Sequence, residues 1–277
     1  MSIFLNHLEE LFGALAAGRH FAFTRYGDGE ARVLQGHHVC ASYTNRAWCW
    51  WPALNYGDQL FSQELDGAFS CGRDHYYIGI SCPCCGPRDH AYYTGRLDED
   101  RVSKQVSYAN LFSNGNWKAL RGRLVGALID LKGPIVLISH WDKDYEQARS
   151  VLKRASTVEV LTAGDIKYDI PLRSNPATYP KARGGAVLWY CSERDRVLKR
   201  FEDAARAVTG GVFLFQLGPV ANVLIHRMFT SNSGNTYLDM GHSLDPILFA
   251  DPSRSFHTQD EHSPMCIDMD AAGEFGR

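Results

Sequence analysis

Short apolar runs recur along this chain, separated by stretches of helical periodicity, and that alternation leaves few folds open. Residues 76–80 and 134–139 read as buried strands. Residues 212–216 and 237–240 read as two more, and residues 157–161 and 186–190 are apolar runs of strand length. Phe21 and Phe23 flank Ala22 in a short strand pattern over residues 20–25. A helix is predicted over residues 2–17, with Ser2 as its cap and Gly18 as its stop. Phe4, Leu8, Leu11, Phe12 and Leu15 fall there at helical spacing. Further helices are predicted to start over residues 31–35 and to cover residues 145–154 and 220–229. Ser192, followed by Asp195 three residues later, is a capping-box pattern that opens another helix. Val197, Phe201, Ala205 and Val208 give it an apolar face, and Gly210-Gly211 ends it. Strands alternating with helices predict an α/β fold with a mainly parallel sheet flanked by helices.

The composition agrees with a globular chain. With 45% hydrophobic and 22% charged residues among 277, it excludes a wholly disordered chain, a collagen-like fibre and a small disulfide scaffold. No internal repeat or low-complexity linker divides it, so residues 1–249 are expected to form a single domain. Residues 250–277 carry six acids (Asp251, Asp260, Glu261, Asp268, Asp270 and Glu274) against Arg254 and Arg277. They read as an acidic extension of a mildly positive body. No apolar run approaches the roughly 18–20 residues of a membrane helix. The N-terminus lacks a basic start and is interrupted by Glu9 and Glu10, which argues against a secretory signal. The expectation is a cytoplasmic protein (host cytoplasm if phage-encoded) without membrane insertion, its eight cysteines mostly reduced.

Three segments can carry chemistry. In Arg25-Tyr26-Gly27-Asp28-Gly29-Glu30, two carboxylates stand at i and i+2 after a strand. Asp28 and Glu30 can present hard oxygens to one divalent cation, with Mg²⁺ or Mn²⁺ the natural choices. Gly27 and Gly29 allow close backbone approach, and Arg25 offers a fork of donors to phosphate. The simpler alternative is a plain turn, with Glu30 favouring a helix N-terminus. Leu217-Gly218-Pro219-Val220 joins a strand to a helix, where backbone N–H groups can bind phosphate, or where an ordinary turn suffices. Leu238-Asp239-Met240-Gly241-His242 ends a strand, where ligands collect in open α/β sheets. His242 there can be a metal ligand, a phosphate donor, a general acid/base or a hydrogen-bonded structural residue.

In this order, Arg-Tyr-Gly-Asp-Gly-Glu, Leu-Gly-Pro-x-Ala-x-Val-Leu and Asp-x-Gly-His resemble the GT-D-type glycosyltransferases, a family first described as a domain of unknown function. Weaker echoes are Tyr77-Ile78-Gly79-Ile80, Asn110-Leu111-Phe112 with Trp117, and Ile170-Pro171 through Asn175-Pro176-Ala177. The resemblance covers residues 20–249. It implies a Rossmann-like domain that uses a nucleotide-sugar donor, UDP-linked by default, and a Mn²⁺ or Mg²⁺ ion held by Asp28 and Glu30. Around the donor it implies Arg25, Tyr26, Gly27, Gly29, Gly218, Pro219, Val220 and Gly241. Charge on the diphosphate leaving group would be met by the cation and by helix-terminal N–H groups. His242 or Asp245 would serve as the base for the acceptor hydroxyl. The family's acidic residue after Gly-His and its aromatic-rich ending are replaced here by Ser243-Leu244-Asp245-Pro246-Ile247-Leu248-Phe249, a departure on the acceptor side.

The default acceptor is a glycan or glycoprotein. The alternative is a hydroxymethylated base of phage DNA, which would need a basic groove. Arg194, Arg196, Lys199, Arg200 and Arg206, with Lys118, Arg121 and Arg123, can supply one or can be a solvated surface. A non-catalytic nucleotide-sugar-binding module is a further alternative, against which the intact Asp28 and Glu30 argue. Cys82-Pro83-Cys84-Cys85, with Cys71, His75 and His90 nearby, admits zinc or redox readings, but lacks a matched second Cys-x-x-Cys pair. A cysteine-rich turn is the preferred reading. Trp48-Cys49-Trp50-Trp51, after Tyr43, Asn45 and Arg46, reads as core or interface packing, with sugar or base stacking as the alternative.

Overall fold

The apolar runs become neighbouring strands of one sheet. A computed structural model describes residues 8–37, 39–40, 49–50, 56–97, 106–112, 117–131, 133–139, 158–160 and 186–248. Its strands are β1 (Ala22–Tyr26), β2 (Val39–Cys40), β3 (Cys49–Trp50), β4 (Tyr76–Ile80), β5 (Val106–Tyr108), β6 (Ile135–Ser139), β7 (Val158–Val160), β8 (Val212–Gln216) and β9 (Thr236–Asp239). Its helices are α1 (Leu8–Ala16), α2 (Asp28–Leu34), α3 (Tyr56–Phe69), α4 (Pro87–Arg96), α5 (Trp117–Asp130), α6 (Ala186–Ala207), α7 (Pro219–Ser231) and α8 (Asp245–Leu248). Seven strands form one sheet in the order β5-β4-β1-β9-β8-β6-β7, and every neighbouring pair is parallel. β2 and β3 form a separate antiparallel pair.

Successive strand residues point to opposite faces, and both faces are covered. Ala22 and Tyr26 of β1, Val136 and Ile138 of β6, and Phe213 and Phe215 of β8 pack into one cluster with α3, α6 and α7. Phe23, Ile135, Leu137, Val212 and Leu214 pack into the other with α1 and α5. Two-sided burial explains why these strands are apolar throughout. Each Val- to Phe-sized side chain removed from water contributes about 1.5–3 kcal/mol.

Chain order fixes where a ligand can enter. From β1 the chain steps outward to β4 and β5, crosses to β6 and β7, then returns through β8 to place β9 beside β1. The direction of travel therefore reverses between β1 and β9, and the crevice outside their C-terminal ends is the favoured binding position of such sheets. The two strands pair only at Ala22–Tyr237 and Phe23–Leu238 before they splay. Arg25, next in line to pair, instead meets the buried Asn222 of α7. Asn222 Nδ2 donates to the Arg25 carbonyl at 2.8 Å, and Arg25 N–H donates to Asn222 Oδ1 at 3.1 Å. A side-chain amide thus completes the strand's hydrogen bonding where the neighbouring strand leaves it.

Some elements differ from expectation. The run at residues 186–190 is the start of α6, which continues through Ser192, so the capping box at Ser192 does not form. A short apolar run alone cannot separate a buried strand from a helix turn, and no Gly or Pro interrupts it before the helix. α2 begins at Asp28, three residues before the expected start. Gly27 is its N-cap, and Gly27 N–H donates to Glu30 Oε2 at 2.9 Å, half of a capping box. Gly18 ends α1 with φ +65°, the left-handed conformation typical of a helix stop. Residues 2–7, 145–154 and 249–277 lie outside the described residues, as do the 170–177 stretch and Trp48 and Trp51. Among the described residues no helix is long and apolar enough to cross a membrane.

Candidate active site

The crevice collects three carboxylates. Asp28 is the exposed first residue of α2, and Glu30, two residues on, is partly buried. Asp239, the last residue of β9, is buried beside them. Burial raises the Glu30 carboxyl to about 7, and the fields of Asp239 and Asp28 push the same way, against the stabilising N–H of Gly27. Burial also raises Asp239 to about 6, opposed by the Arg25 guanidinium, the Gly241 N–H and His242. Gly241 N–H donates to Asp239 Oδ1 at 2.9 Å. The two raised carboxylates, Glu30 and Asp239, would be ionised more readily with positive charge beside them. All donors are hard oxygens, the chemistry that Mg²⁺ and Mn²⁺ prefer. Hard oxygens of this kind suit such an ion, which Asp28 and Glu30 would hold, with Asp239 near Glu30.

Arg25 lies beneath this group. Its Nε donates to the Ala109 carbonyl at 2.6 Å, and its guanidinium lies against Gly241, which adopts φ +49°. A Cβ at position 241 would have to push that guanidinium aside, and the left-handed φ itself favours glycine there. The other residues expected around a donor fall in two sets. Gly27, Gly218 and Gly241 line strand ends, with Gly218 exposed at φ +56° just before α7. The Tyr26 ring, in contrast, is buried against Phe69 and Tyr93, and its hydroxyl donates to the Leu65 carbonyl, so only its backbone reaches the strand end. Pro219 and Val220 are buried in the first turn of α7, and Gly29 in that of α2.

His242 and Asp245, alternative bases in the sequence, form one unit. His242 Nδ1 and Asp245 Oδ2 are 2.8 Å apart, and Gln216 Nε2 at the end of β8 donates to Asp245 Oδ1 at 3.0 Å. Asp245 is fully buried, whereas His242 is partly exposed. With Asp245 ionised, its carboxylate can only accept, which places the proton of a neutral imidazole on Nδ1. Asp245 thus orients the His242 ring, and His242 is the more exposed member of the pair.

The second strand end braces the first. Tyr93 hydroxyl of α4 donates to the Gly27 carbonyl at 2.6 Å, and Ser81 Oγ after β4 reaches the Tyr26 carbonyl at 3.4 Å. Asp239, Asn222, Gln216 and Tyr93 had no role assigned from sequence. Asp239 and Asn222 sit inside segments already singled out, and their place at a strand end and in a first helical turn was the available signal. The basic residues suggested for a DNA groove are largely paired with acids. Arg194 meets Glu64 and Asp195, Lys199 meets Asp203, Arg206 meets Glu202 and Asp203, and Arg123 meets Glu9. The side chains of Lys118 and Arg121 lie outside the described residues.

No protein-family model matches the chain, and no curated protein matches it. Solved structures do. A selenomethionine-substituted structure of the domain of unknown function 1792 superimposes with a TM-score of 0.51 at 14% identity, covering 85% of this chain and 77% of that chain. A second structure of that domain, described as having a distinct glycosyltransferase fold, gives 0.49 at 13% identity over the same shares. The chain is an α/β protein with a parallel sheet, and it has the fold of domain 1792. This is the fold that the sequence resemblance implied.

Proposed function

We propose that this protein is a metal-dependent glycosyltransferase that moves a sugar from a nucleotide-sugar donor, UDP-linked by default, to a hydroxyl of a glycan or glycoprotein. The observation that carries this reading is the convergence of Asp28, Glu30 and Asp239 with the His242–Asp245 pair at the splayed ends of β1 and β9. A divalent cation held there supplies positive charge for a diphosphate leaving group. The chain's own residues do the rest. Gly218 and Gly241 let the backbone approach the donor without a side chain in the way. Arg25 holds Asp239 and the Gly241 turn in place from below. The bond between the anomeric carbon and the diphosphate oxygen breaks, and the acceptor oxygen bonds to that carbon. The acceptor's proton passes to Nε2 of His242, and Asp245 stabilises the imidazolium that results.

The paired state of Arg194, Lys199, Arg206 and Arg123 favours a glycan over DNA as acceptor, because these cations already answer acids of the same surface. The test is a direct one. Purified protein is incubated with UDP-sugars, Mn²⁺ and a panel of glycan acceptors, and free UDP and glycosylated product are followed. Metal-dependent product that disappears in Asp28→Ala supports the proposal. Donor binding with neither hydrolysis nor transfer across the panel would leave a binding module instead.

A further inference from the structure

A second group of ligating side chains lies one strand away and belongs to different chemistry. Cys82, Cys84 and Cys85 follow β4 immediately, and their three sulfurs all lie within 4.8 Å of one another. We propose that Cys82, Cys84 and Cys85 form a three-thiolate site for Zn²⁺, with its fourth position open to solvent.

The spacing of the sulfurs supports it. A tetrahedral ion with Zn–S bonds of about 2.3 Å sets its sulfurs about 3.8 Å apart. Cys84 Sγ and Cys85 Sγ are 3.7 Å apart. Cys82 Sγ and Cys84 Sγ are closer, at 2.9 Å, and an ion between them needs that pair to open by less than an ångström, to about the same 3.8 Å. The surroundings favour the charged form of sulfur. Cys82 is buried, and its Sγ accepts from the backbone N–H of Cys85 and from Nδ2 of Asn110, each at 3.4 Å. Such N–H donors around a thiolate orient it and offset its charge, as outer-sphere partners do in metal sites. Gly86, the next residue, caps the ten-residue helix α4, and Gly86 N–H donates to the Cys82 carbonyl at 3.0 Å, closing the loop that holds the three thiols together. Cys84 and Cys85 are exposed, which gives the ion an entry path.

Ligand softness separates this site from the carboxylates. Thiolates select Zn²⁺ strongly over Mg²⁺ and Mn²⁺, whereas the carboxylates of Asp28, Glu30 and Asp239 are hard donors that Mg²⁺ and Mn²⁺ also accept. Binding converts three thiols to thiolates and releases their protons to solvent, so no oxidant or reductant enters. The ion would fix the turn between β4 and α4. That turn carries Ser81, bonded to the Tyr26 carbonyl, and leads to Tyr93, bonded to the Gly27 carbonyl. The proposal stands on the thiols alone and holds whether or not the protein transfers sugars.

The test uses the full chain, reduced and stripped of metal, titrated with Co²⁺ as a spectroscopic stand-in and then with Zn²⁺. One equivalent of Co²⁺ should produce sulfur-to-cobalt charge-transfer bands and four-coordinate visible bands, both erased by Zn²⁺. Cys84→Ser and Cys85→Ser, changes at exposed positions, should each abolish most of the charge-transfer intensity. Asp28→Ala should leave it intact. Zn²⁺ should also raise the Tm of the reduced wild type by clearly more than that of either serine variant. Absence of thiolate bands in the reduced protein would overturn the proposal. So would undiminished bands in both serine variants, or a reduced protein that ignores Co²⁺ and forms a disulfide within this group on exposure to air.

Discussion

In the proposed reaction, His242 and Asp245 divide one task between them. Asp245 is buried, accepts from Gln216 and lies 2.8 Å from His242 Nδ1. His242→Gln is expected to lower kcat for transfer by about 10²- to 10⁴-fold, the usual worth of a positioned general base, with donor KM little changed. Asp245→Asn should also lower kcat and shift the pH profile, because an amide no longer dictates which nitrogen carries the proton. Steady-state kinetics against pH would show both. Glu30 and Asp239 make a separate prediction, for stability without metal. Their carboxyls rise on folding from 4.5 to about 7 and from 3.8 to about 6. The folded protein therefore binds more protons than the unfolded chain between about pH 4 and 7. The resulting stability is full below the unfolded values and is lost as pH rises through 6 and 7. In chelator, the denaturation midpoint of wild type relative to Glu30→Gln should fall across that window. A relative midpoint that rises instead would contradict the burial of these groups.

Asn222 shows how an element can be anchored by one side chain. Its amide occupies the place of a missing strand partner at Arg25 and fixes the first turn of α7 to the end of β1. Asn222→Ala leaves a strand N–H and carbonyl without that partner, at a cost of about 1–3 kcal/mol. Urea denaturation would read it, and a loss of donor affinity should accompany it because Gly218 moves with α7. At this scale the central strands were legible, because burial on both faces writes them as uninterrupted apolar runs such as Tyr76–Ile80 and Val212–Gln216. α3, α4 and α5 were not. Their sequences mix glycines, charges and aromatics, and tertiary packing of Phe61, Leu65, Tyr93, Leu124 and Leu128 selects the helix. The start of α2 was misplaced because Gly27-Asp28-Gly29 has the composition of a turn, while Glu30 closes the first helical turn on itself.

At the scale of the molecule, strand order makes the site. Residues separated by more than two hundred positions, Glu30 and Asp239 among them, come near each other because the chain reverses direction between β1 and β9. Asp28, Glu30 and His242 were visible in sequence as chemistry in two short motifs. Their meeting point was implied by family resemblance and is supplied physically by the parallel sheet. Asp239 stood inside a quoted motif without a role of its own, and Gln216 was not singled out, because a buried polar residue at a strand end carries little pattern of its own. The thiols of Cys82, Cys84 and Cys85 read as a turn because ligand geometry follows from the backbone fold after β4 and not from spacing.

Thermal melting with UDP and Mn²⁺, alone and together, in wild type and in Asp28→Ala, addresses the proposed donor site most directly. UDP should raise the Tm of wild type strongly only when Mn²⁺ is present, since ligand and cation share one crevice. Asp28→Ala should melt as the wild type does without ligand and lose the joint shift. A UDP shift that is independent of metal, or one that survives in Asp28→Ala, would contradict a metal-bridged donor at the ends of β1 and β9.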